Sequence, residues 1–391
     1  MLVLLTFVGP LAGDMYLPAF PAMAVELGTD PAGVQLTLTA MMIGFALGQL
    51  LLGPLSDRYG RRTLLLAGAS VAALSTALCA LAPSLEWLAA LRFAQGVSAA
   101  AGIVIGRAVV SDVAEGPAAE RLQGVLMTLT GVAPIIAPLA GAALIEAGDW
   151  RLVFWALAAA MAVMAAGAAR WVPETLPAGR RQRGSLLGAA RQVLGDRVYV
   201  GYTLVFSFAF GALFCYIAAS PFLYQRVLGL SLAQSSFTFA AGALIVTLSS
   251  AVNAVLVTRI AARRLLVCGL TGLTVSSGAL LAVSVAGLLD RVSALALITV
   301  AFIALGLVFS NAASLALARV SHAAGTGSAV LGALQNGMAA VVAPLVGLGG
   351  GDTAVPMAAG MTAIALLALA ALSLTRAGQH EGYGSRASRT R

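Results

Sequence analysis

The amino-acid sequence predicts an all-α integral membrane protein with twelve transmembrane helices. Of its 391 residues, 60% are hydrophobic and only 10% are charged, whereas a soluble domain carries about 25% charged residues. The apolar residues form continuous runs instead of alternating with polar residues, which favours helices over a β-barrel. At about 20 residues for each crossing, a chain of this length accommodates roughly twelve helices joined by short loops.

The apolar runs, bounded by charged and turn-forming residues, give the expected position of each helix. The first six are expected at about 2–22, 31–53, 63–81, 86–110, 122–145 and 151–171. The second six are expected at about 198–222, 231–257, 265–287, 292–317, 325–348 and 354–375. Pro18 and Pro21 should bend or end helix 1, because proline removes a helical hydrogen-bond donor.

A change of composition separates these helices into two sets of six. Residues 173–197 carry five arginines, two prolines and a Gly-Ser pair, which is typical of a polar linker. We therefore predict an N-terminal six-helix bundle at 1–172, a cytoplasmic linker at 173–197, a C-terminal six-helix bundle at 198–375 and a cytoplasmic tail at 376–391.

The distribution of arginine predicts the orientation in the membrane. The basic residues are all arginines, and nineteen of the 23 lie in segments that this map makes internal, against three in external loops. By the positive-inside rule, both termini are then cytoplasmic. The net charge of +8 follows from these loops, and we expect no binding of nucleic acid.

One stretch between helices 2 and 3 is the most specific signal in the chain. It reads Gly53-Pro54-Leu55-Ser56-Asp57-Arg58-Tyr59-Gly60-Arg61-Arg62. One acid and three arginines cannot lie in hydrocarbon, so we expect a tight loop at the cytoplasmic surface. The stretch matches G-x-L-x-D-R-x-G-R-R and closely resembles the signature of the major facilitator superfamily of secondary transporters. The resemblance implies the major facilitator fold, with two pseudo-symmetric six-helix bundles around a central cavity.

The resemblance also implies a role for the signature stretch as a conformational latch that acts when the transporter is closed to the inside. The residues assigned to this latch are Gly53, Asp57, Arg58, Gly60, Arg61 and Arg62, with Asp112 as a candidate partner. Asp57 can form an ion pair with an arginine of the stretch itself or of a neighbouring segment.

Two charged residues lie well within predicted helices. Asp14 is the carboxylate placed in helix 1, and Arg92 is the arginine placed in helix 4. A charge at the bilayer centre costs at least about 2.5–3.5 kcal/mol, so such residues persist when they pair, face water or function. At 1.5 Å per residue, both should lie ~10 Å below the external surface. We expect Asp14 to carry a proton and Arg92 to tune its affinity for that proton.

A narrower resemblance appears in helices 1, 2 and 4. Residues 14–21, Asp14-Met15-Tyr16-Leu17-Pro18-Ala19-Phe20-Pro21, resemble the helix 1 signature of the Bcr/CflA-type drug/proton antiporters. Residues 35–39 with Gly44, Gly48 and Gln49 are similar to helix 2 of that subfamily. Residues 92–96, with Gln95, resemble its R-x-x-Q-G motif in helix 4, where the arginine is implicated in proton transfer. The resemblance implies a bacterial inner-membrane protein that exchanges drugs for protons.

Helix 5 carries the sequence that bears on the direction of transport. Gly131, Pro134, Pro138 and Gly141 lie about one turn apart. Small residues allow close helix contact, and prolines bend a helix. The stretch resembles the antiporter motif G-x-x-x-G-P-x-x-G-G but departs from it at Ala133, Ala137 and Ala142. It favours export without proving it.

The substrate contacts are less specific. Transporter sites lie near the bilayer midplane between the two halves, and polar side chains in the predicted helices are the candidates. They are Tyr16, Gln35, Gln49, Gln95, Tyr216, Asn253, Asn311, Gln335 and Asn336. Each of them is equally consistent with a hydrogen bond between helices.

The predicted function is the export of small amphiphilic drugs or antibiotics, amphenicol-like compounds included, in exchange for protons by alternating access. Two alternatives remain: a proton-coupled importer of a nutrient with the same fold, and a polytopic membrane enzyme. The enzyme is disfavoured because the chain has no H-E-x-x-H, no G-x-S-x-G and no metal-ligand spacing. We expect a monomer in the lipid bilayer, driven by the proton gradient and without a cofactor or metal.

Overall fold

The computed structural model describes residues 9–113, 116–177, 179, 191 and 193–375. The predicted start of helix 1, most of the predicted linker and the predicted tail lie outside these residues. The described residues form twelve helices, as predicted, and no strand. Ten helices are long and apolar enough to cross a membrane, and a shorter apolar stretch lies at 131–147.

The helices are numbered α1 to α12 in chain order. In the first half they are α1 at 9–26, α2 at Pro31–Tyr59, α3 at Arg61–Ala80, α4 at Leu85–Val113, α5 at Gly116–Ala147 and α6 at Trp150–Trp171. In the second half they are α7 at Arg197–Phe222, α8 at Leu232–Leu256, α9 at Ala262–Val285, α10 at Arg291–Arg319, α11 at Ala324–Gly347 and α12 at Val355–Ala371. A π-helical turn, Leu223–Val227, continues α7.

Helix α1 is broken, as its prolines predict. The helical residues 9–14 end at a turn, a 3-10 turn follows at Leu17–Ala19, and the helix resumes at Phe20–Glu26. Pro18 and Pro21 occupy the first turns of these two segments, where a missing N–H group is tolerated. Within this break, the carbonyl oxygen of Pro18 accepts a hydrogen bond from the Gln225 side chain.

The prediction of a tight loop across residues 53–62 is wrong. Helix α2 continues to Tyr59 and α3 begins at Arg61, so that a single residue, Gly60, joins them. Gly60 has φ +99° and ψ 151°, a conformation that glycine adopts without a Cβ clash. The charged residues are therefore arranged on two helix ends, and the chain reverses over one peptide unit.

The loop expected between helices 4 and 5 is also shorter than predicted. Helix α4 continues to Val113 and α5 begins at Gly116, so Asp112 lies in the last turn of α4. Glu120 and Arg121, which were expected in the loop, lie within α5, and Glu115 falls outside the described residues. A helix can continue beyond the apolar residues of the sequence, because charged side chains at its end reach water while the backbone hydrogen bonds stay intact.

The described residues form two compact units. One contains those of Met1–Gly184 together with Ile217–Leu244 and Ala339–Pro356. The other contains those of Ser185–Tyr216, Ile245–Met338 and Met357–Arg391. The first unit thus includes the C-terminal ends of α7 and α11 and the N-terminal half of α8. The domain boundaries given above stay a prediction.

Glycines bring α2 and α4 into backbone contact. A Cβ atom added to Gly44 would lie 2.2 Å from the carbonyl oxygen of Phe93, and one added to Gly96 would lie 2.1 Å from that of Met41. The second unit has a similar contact between α8 and α10, where a Cβ on Gly306 would lie 2.5 Å from the Cβ of Ser249. The contact between α2 and α4 leaves no room for a larger side chain at Gly44 or Gly96.

Asp196 caps the N-terminus of α7, the first helix of the second half of the sequence. Its carboxylate accepts hydrogen bonds from the backbone N–H groups of Val198 (2.8 Å) and Tyr199 (2.9 Å), which caps α7. Arg319, at the end of α10, forms an ion pair with it at 3.1 Å. Burial opposes ionisation of Asp196, but the hydrogen bonds from Tyr199, Arg319 and Val198 outweigh this effect and hold its pKa below the usual range.

Candidate functional site

The guanidinium of Arg92 is fully buried in the first bundle. Its Nη1 donates hydrogen bonds to the carbonyl oxygen of Ala12 in α1 (2.9 Å) and to Oε1 of Gln95 (2.6 Å). Nε and Nη2 have no hydrogen-bond partner in the described part of the chain. A buried charged donor without a partner is costly. One edge of the guanidinium is therefore satisfied, while the Nε/Nη2 edge is available to an acceptor.

Two aromatic rings surround this charge. The Arg92 guanidinium carbon lies 4.0 Å from the centre of the Tyr16 ring and 5.7 Å from that of Phe154, within the range of a cation–π interaction. The Tyr16 hydroxyl bonds to Oγ1 of Thr37 at 3.1 Å. Thr37 in turn donates to the carbonyl oxygen of Val34 at 2.7 Å, so Tyr16 is the donor to Thr37. The rings hold Arg92 against the break in α1.

Asp14 lies at the end of the first helical segment of α1, just before that break. Its side chain is half-buried and lies within electrostatic range of Arg92. It forms no ion pair or hydrogen bond with any residue that the structure describes. The structure thus brings the predicted proton carrier near the predicted arginine, but the two side chains are not joined.

The signature stretch forms an ion-pair network around Arg61, which is 9% exposed. Arg61 Nη1 lies 2.7 Å from Oδ1 of Asp57, and its Nε lies 3.2 Å from Oδ2 of Asp112. Nη1 also donates to Oγ of Ser56 at 2.5 Å. Arg61 therefore links the ends of α2, α3 and α4 and joins the two predicted carboxylates.

The other signature residues contribute in different ways. The Arg62 guanidinium donates to the carbonyl oxygen of Ala169 at the end of α6, at 2.7 Å. Arg58 is exposed, and its guanidinium carbon lies 5.3 Å from the centre of the Tyr59 ring. A Cβ on Gly53 would meet its nearest neighbour at 3.6 Å, so that glycine is not required by a close contact.

Two residues of this network were missed in the sequence. The Glu174 carboxylate, just after α6, accepts hydrogen bonds from the backbone N–H groups of Arg61 (2.9 Å) and Arg62 (3.3 Å). It thereby caps the N-terminus of α3, where negative charge is stabilised. Thr175 donates from Oγ1 to Oδ2 of Asp112 at 2.9 Å. The available signal was a carboxylate and a hydroxyl directly after Pro173, at the end of an apolar run.

The helix 5 motif contacts α1 through one of its two glycines. A Cβ on Gly141 would lie 1.9 Å from the carbonyl oxygen of Met15, within the break of α1, whereas a Cβ on Gly131 would have no neighbour within 4 Å among the described side chains. Pro134 and Pro138 both lie inside α5. The close contact predicted for this helix is therefore present at Gly141, next to Asp14.

Most of the substrate candidates make contacts inside the bundles. Tyr16 and Gln95 surround Arg92, as described. Asn311 donates to Oδ1 of Asn253 at 2.7 Å, and Asn336 donates to the carbonyl oxygen of Gly332 at 2.8 Å. Tyr216 packs edge-on against Phe302, with ring centres 4.8 Å apart. Gln49 and Gln335 are half-buried.

Gln35 forms a hydrogen bond between helices, which is one of the two interpretations that the sequence left open for it. It is 1% exposed, and its Nε2 donates to the carbonyl oxygen of Ala218 in α7 at 2.9 Å. Gln225 makes the reciprocal contact, because its Nε2 donates to the carbonyl oxygen of Pro18 in α1 at 3.0 Å. Two glutamines thus connect the first and second halves of the sequence at the end of the first unit that is predicted to be external.

Glycine contacts reinforce this connection. A Cβ on Gly347, at the end of α11, would lie 2.5 Å from Cα of Ala32, and one on Gly351 would lie 3.0 Å from the Phe222 ring. Phe222 itself has its ring centre 6.4 Å from that of Phe20. The predicted external end of the first unit is therefore closely packed. No group of three or more potential metal ligands occurs among the residues that the structure describes.

Comparisons with known proteins identify the family. The Major Facilitator Superfamily model matches residues 2–344. The chain is 35% identical over 390 residues to the uncharacterized MFS-type transporter YdgK of Bacillus subtilis, covering 97% of this chain and 96% of the relative. It is 31% identical over 377 residues to a bicyclomycin resistance protein homolog of Haemophilus influenzae, covering 94% and 93%. This agreement confirms the resemblance to the Bcr/CflA-type subfamily.

Solved structures support the fold. A bacterial homolog of the human lysosomal transporter Spinster, in an inward-facing and unoccupied conformation, has a TM-score of 0.76 at 16% identity, covering 96% of this chain and 94% of that one. The nucleoside transporter NupG (D323A mutant) has a TM-score of 0.72 at 13% identity, covering 96% and 99%. At these identities the likeness shows the fold alone. The chain belongs to the Major Facilitator Superfamily and is a multi-pass membrane transporter, not an enzyme.

Proposed function

We propose that this protein exports small amphiphilic drugs in exchange for protons, by alternating access. Relatives with drug-related names support the proposal. They include, besides the bicyclomycin resistance homolog, multidrug resistance protein D of Escherichia coli, 33% identical over 239 residues and covering 61% of this chain and 60% of that one. A chloramphenicol resistance protein of Pseudomonas aeruginosa is 35% identical over 230 residues, covering 58% and 54%. Amphenicols are therefore the first substrates to test.

The single observation that carries the coupling to protons is the unfilled edge of Arg92. Nε and Nη2 form one side of the planar guanidinium, and this side matches the two oxygens of a carboxylate. Asp14 is the nearby carboxylate and has no other partner in the described chain. When Asp14 loses its proton, its carboxylate gains two charge-assisted hydrogen bonds by moving to this edge; when it takes up a proton, that gain is lost.

The position of Asp14 connects this exchange to a conformational change. It lies directly before the break in α1, and the break contacts α5 at Gly141 and α7 through the bond from Gln225 to Pro18. A movement of Asp14 towards Arg92 shifts the residues that make these contacts. Alternating access requires the connection between the halves at the predicted external end to separate and re-form. Protonation of Asp14 thus biases which side is open.

We infer that both termini lie in the cytoplasm and that the membrane is a bacterial inner membrane, which the arginine distribution supports. The Arg61 network serves as the latch. The protein works as a monomer with no cofactor, and the proton gradient supplies about 2.3 kcal/mol for each charge moved through 100 mV.

The function is tested in inverted membrane vesicles with a proton gradient, acid inside, monitored with a quenched dye. Chloramphenicol and a panel of neutral and cationic antibiotics are added one at a time. The proposal predicts that at least one compound dissipates the gradient and accumulates inside the vesicles. A compound that dissipates the gradient without accumulating would point to a proton-coupled importer, and a panel without any response would contradict drug/proton exchange.

A further inference from the structure

We propose that Thr76 of α3 is a positioning residue for proton coupling, because it sets the orientation of Gln95 and, through Gln95, the orientation of Arg92. This inference rests on the proposed function of Arg92. Thr76, Gln95 and Arg92 are each 0% exposed. Gln95 Nε2 donates to Oγ1 of Thr76 at 2.6 Å, and Gln95 Oε1 accepts from Nη1 of Arg92 at 2.6 Å. The three side chains form one hydrogen-bonded chain from α3 to the guanidinium.

The direction of each bond in this chain is determined. The Thr76 hydroxyl has a single hydrogen, which it donates to the carbonyl oxygen of Ala72 at 2.6 Å. Its other neighbour, the sulfur of Met161 at 3.1 Å, is only a weak acceptor. The Thr76 oxygen is therefore an acceptor, and it selects the NH₂ group of Gln95.

The orientation of the Gln95 amide determines which of its two polar groups faces Arg92. An amide that points its NH₂ group at Thr76 must point its oxygen the other way, towards Nη1 of Arg92. If the amide were reversed, its NH₂ group would face the guanidinium, and two donors would meet in a buried site at the cost of an unmade hydrogen bond. With Nη1 held by Gln95 and by Ala12, the Nε/Nη2 edge keeps one direction, and that edge receives the Asp14 carboxylate.

The electrostatic surroundings of Arg92 do not include Thr76. Arg92 acts electrostatically on the titratable side chains of Asp14 and Tyr16 from α1 and of Cys79 from α3. Thr76 carries no charge, so its removal changes the geometry of Arg92 without changing the charge of the site. An effect of Thr76 on proton coupling thus reports positioning and not electrostatics.

The test compares Thr76→Val, which keeps the shape of the side chain but loses the hydroxyl, with Thr76→Ser, which keeps the hydroxyl. Ser75→Ala is the matched control, because Ser75 is buried on the same helix and its hydroxyl, in the described part of the chain, bonds to the carbonyl oxygens of Val71 and Ala72 of that helix. The rate of substrate-driven proton release is measured from pH 5 to 9 in vesicles, with the melting temperature of each purified variant. Thr76→Ala replaces Thr76→Val if the latter does not fold.

The proposal predicts that Thr76→Val lowers the rate about fivefold, as expected for one buried hydrogen bond, and moves the midpoint of its pH profile. Thr76→Ser should restore both, and Ser75→Ala should change neither. In an Asp14→Asn background, Thr76→Val should have no further effect. A pH profile of Thr76→Val equal to that of the wild type would overturn the inference alone, whereas full coupling in Asp14→Asn would overturn the proposed function as well.

Discussion

The guanidinium of Arg92 lies over the ring of Tyr16, with its carbon 4.0 Å from the ring centre. Tyr16 is two residues beyond Asp14, inside the break of α1, so a charge from α4 lies at the point where α1 is interrupted. The Ala12 carbonyl, bonded to the same guanidinium at 2.9 Å, lies on the other side of Asp14. Arg92 therefore contacts the backbone or side chains on both sides of the predicted proton carrier.

The Arg61 network gives a first prediction. Arg61→Gln removes both ion pairs and leaves Asp57 and Asp112 without their shared cation, so it should lower the free energy of unfolding by about 1.5–3 kcal/mol and reduce the transport rate. Arg58→Gln, at an exposed arginine of the same stretch, should change stability by no more than about 0.5 kcal/mol. Thermal melting measures the stability of the two variants, and vesicle assays measure their transport rates. Equal effects of the two substitutions would contradict the central place of Arg61.

The two glycines of α5 give a second prediction. Gly141→Ala places a Cβ where Met15 O would be 1.9 Å away, so α1 and α5 must separate, and the variant should lose most of its transport. Gly131→Ala meets no neighbour within 4 Å among the described side chains and gains about 1 kcal/mol of helix propensity, so it should transport normally. The efflux rates of the two variants, measured at matched expression, test this prediction. A fully active Gly141→Ala variant would show that transport does not need the close contact between Gly141 and Met15.

The reciprocal glutamines give a third prediction. Gln225→Met and Gln35→Met each remove one hydrogen bond between the two halves of the sequence, worth about 0.5–1.5 kcal/mol. The population open at the predicted external side should therefore rise about twofold to thirteenfold. A cysteine introduced at the buried Met23, in a variant without Cys79, Cys215 and Cys268, reports this opening through its labelling rate by an impermeant maleimide.

The control for this measurement is Gln234→Met, because the described hydrogen bond of the Gln234 side chain lies within its own turn, where Oε1 accepts from the backbone N–H of Ser231. Its labelling rate should equal that of the parent. If the Gln225 and Gln35 variants also label at the parental rate, the glutamines do not stabilise the closed external end.

The sequence predicted the elements whose signals are local. The twelve helices follow from continuous apolar runs, and the break in α1 follows from Pro18 and Pro21. The pairing of Arg61 with Asp112 could be expected because two charges at helix ends on the same side of a membrane have few other partners. The close contact at Gly141 followed from small residues at helical spacing.

Other features depend on contacts between distant residues, which have no local signal. Glu174 caps a helix that begins 113 residues earlier in the chain, and Gln35 bonds to a carbonyl 183 residues away. The loop expected at 53–62 proved to be helical because charge predicts exposure to water but not backbone conformation. Thr76 resembles many helix hydroxyls that bond to their own backbone, and only the position of Gln95 distinguishes it.

The role of Asp14 as the proton carrier is tested most directly by measuring proton release by Asp14→Asn in inverted vesicles, at a saturating concentration of a substrate identified with the wild type. Asp352→Asn, an exposed carboxylate between α11 and α12, is the matched control. We expect Asp352→Asn to behave as the wild type, whereas Asp14→Asn should be inserted and bind substrate but no longer release protons. Substrate-driven proton release by Asp14→Asn at the wild-type rate would contradict the assignment of Asp14 as the proton carrier.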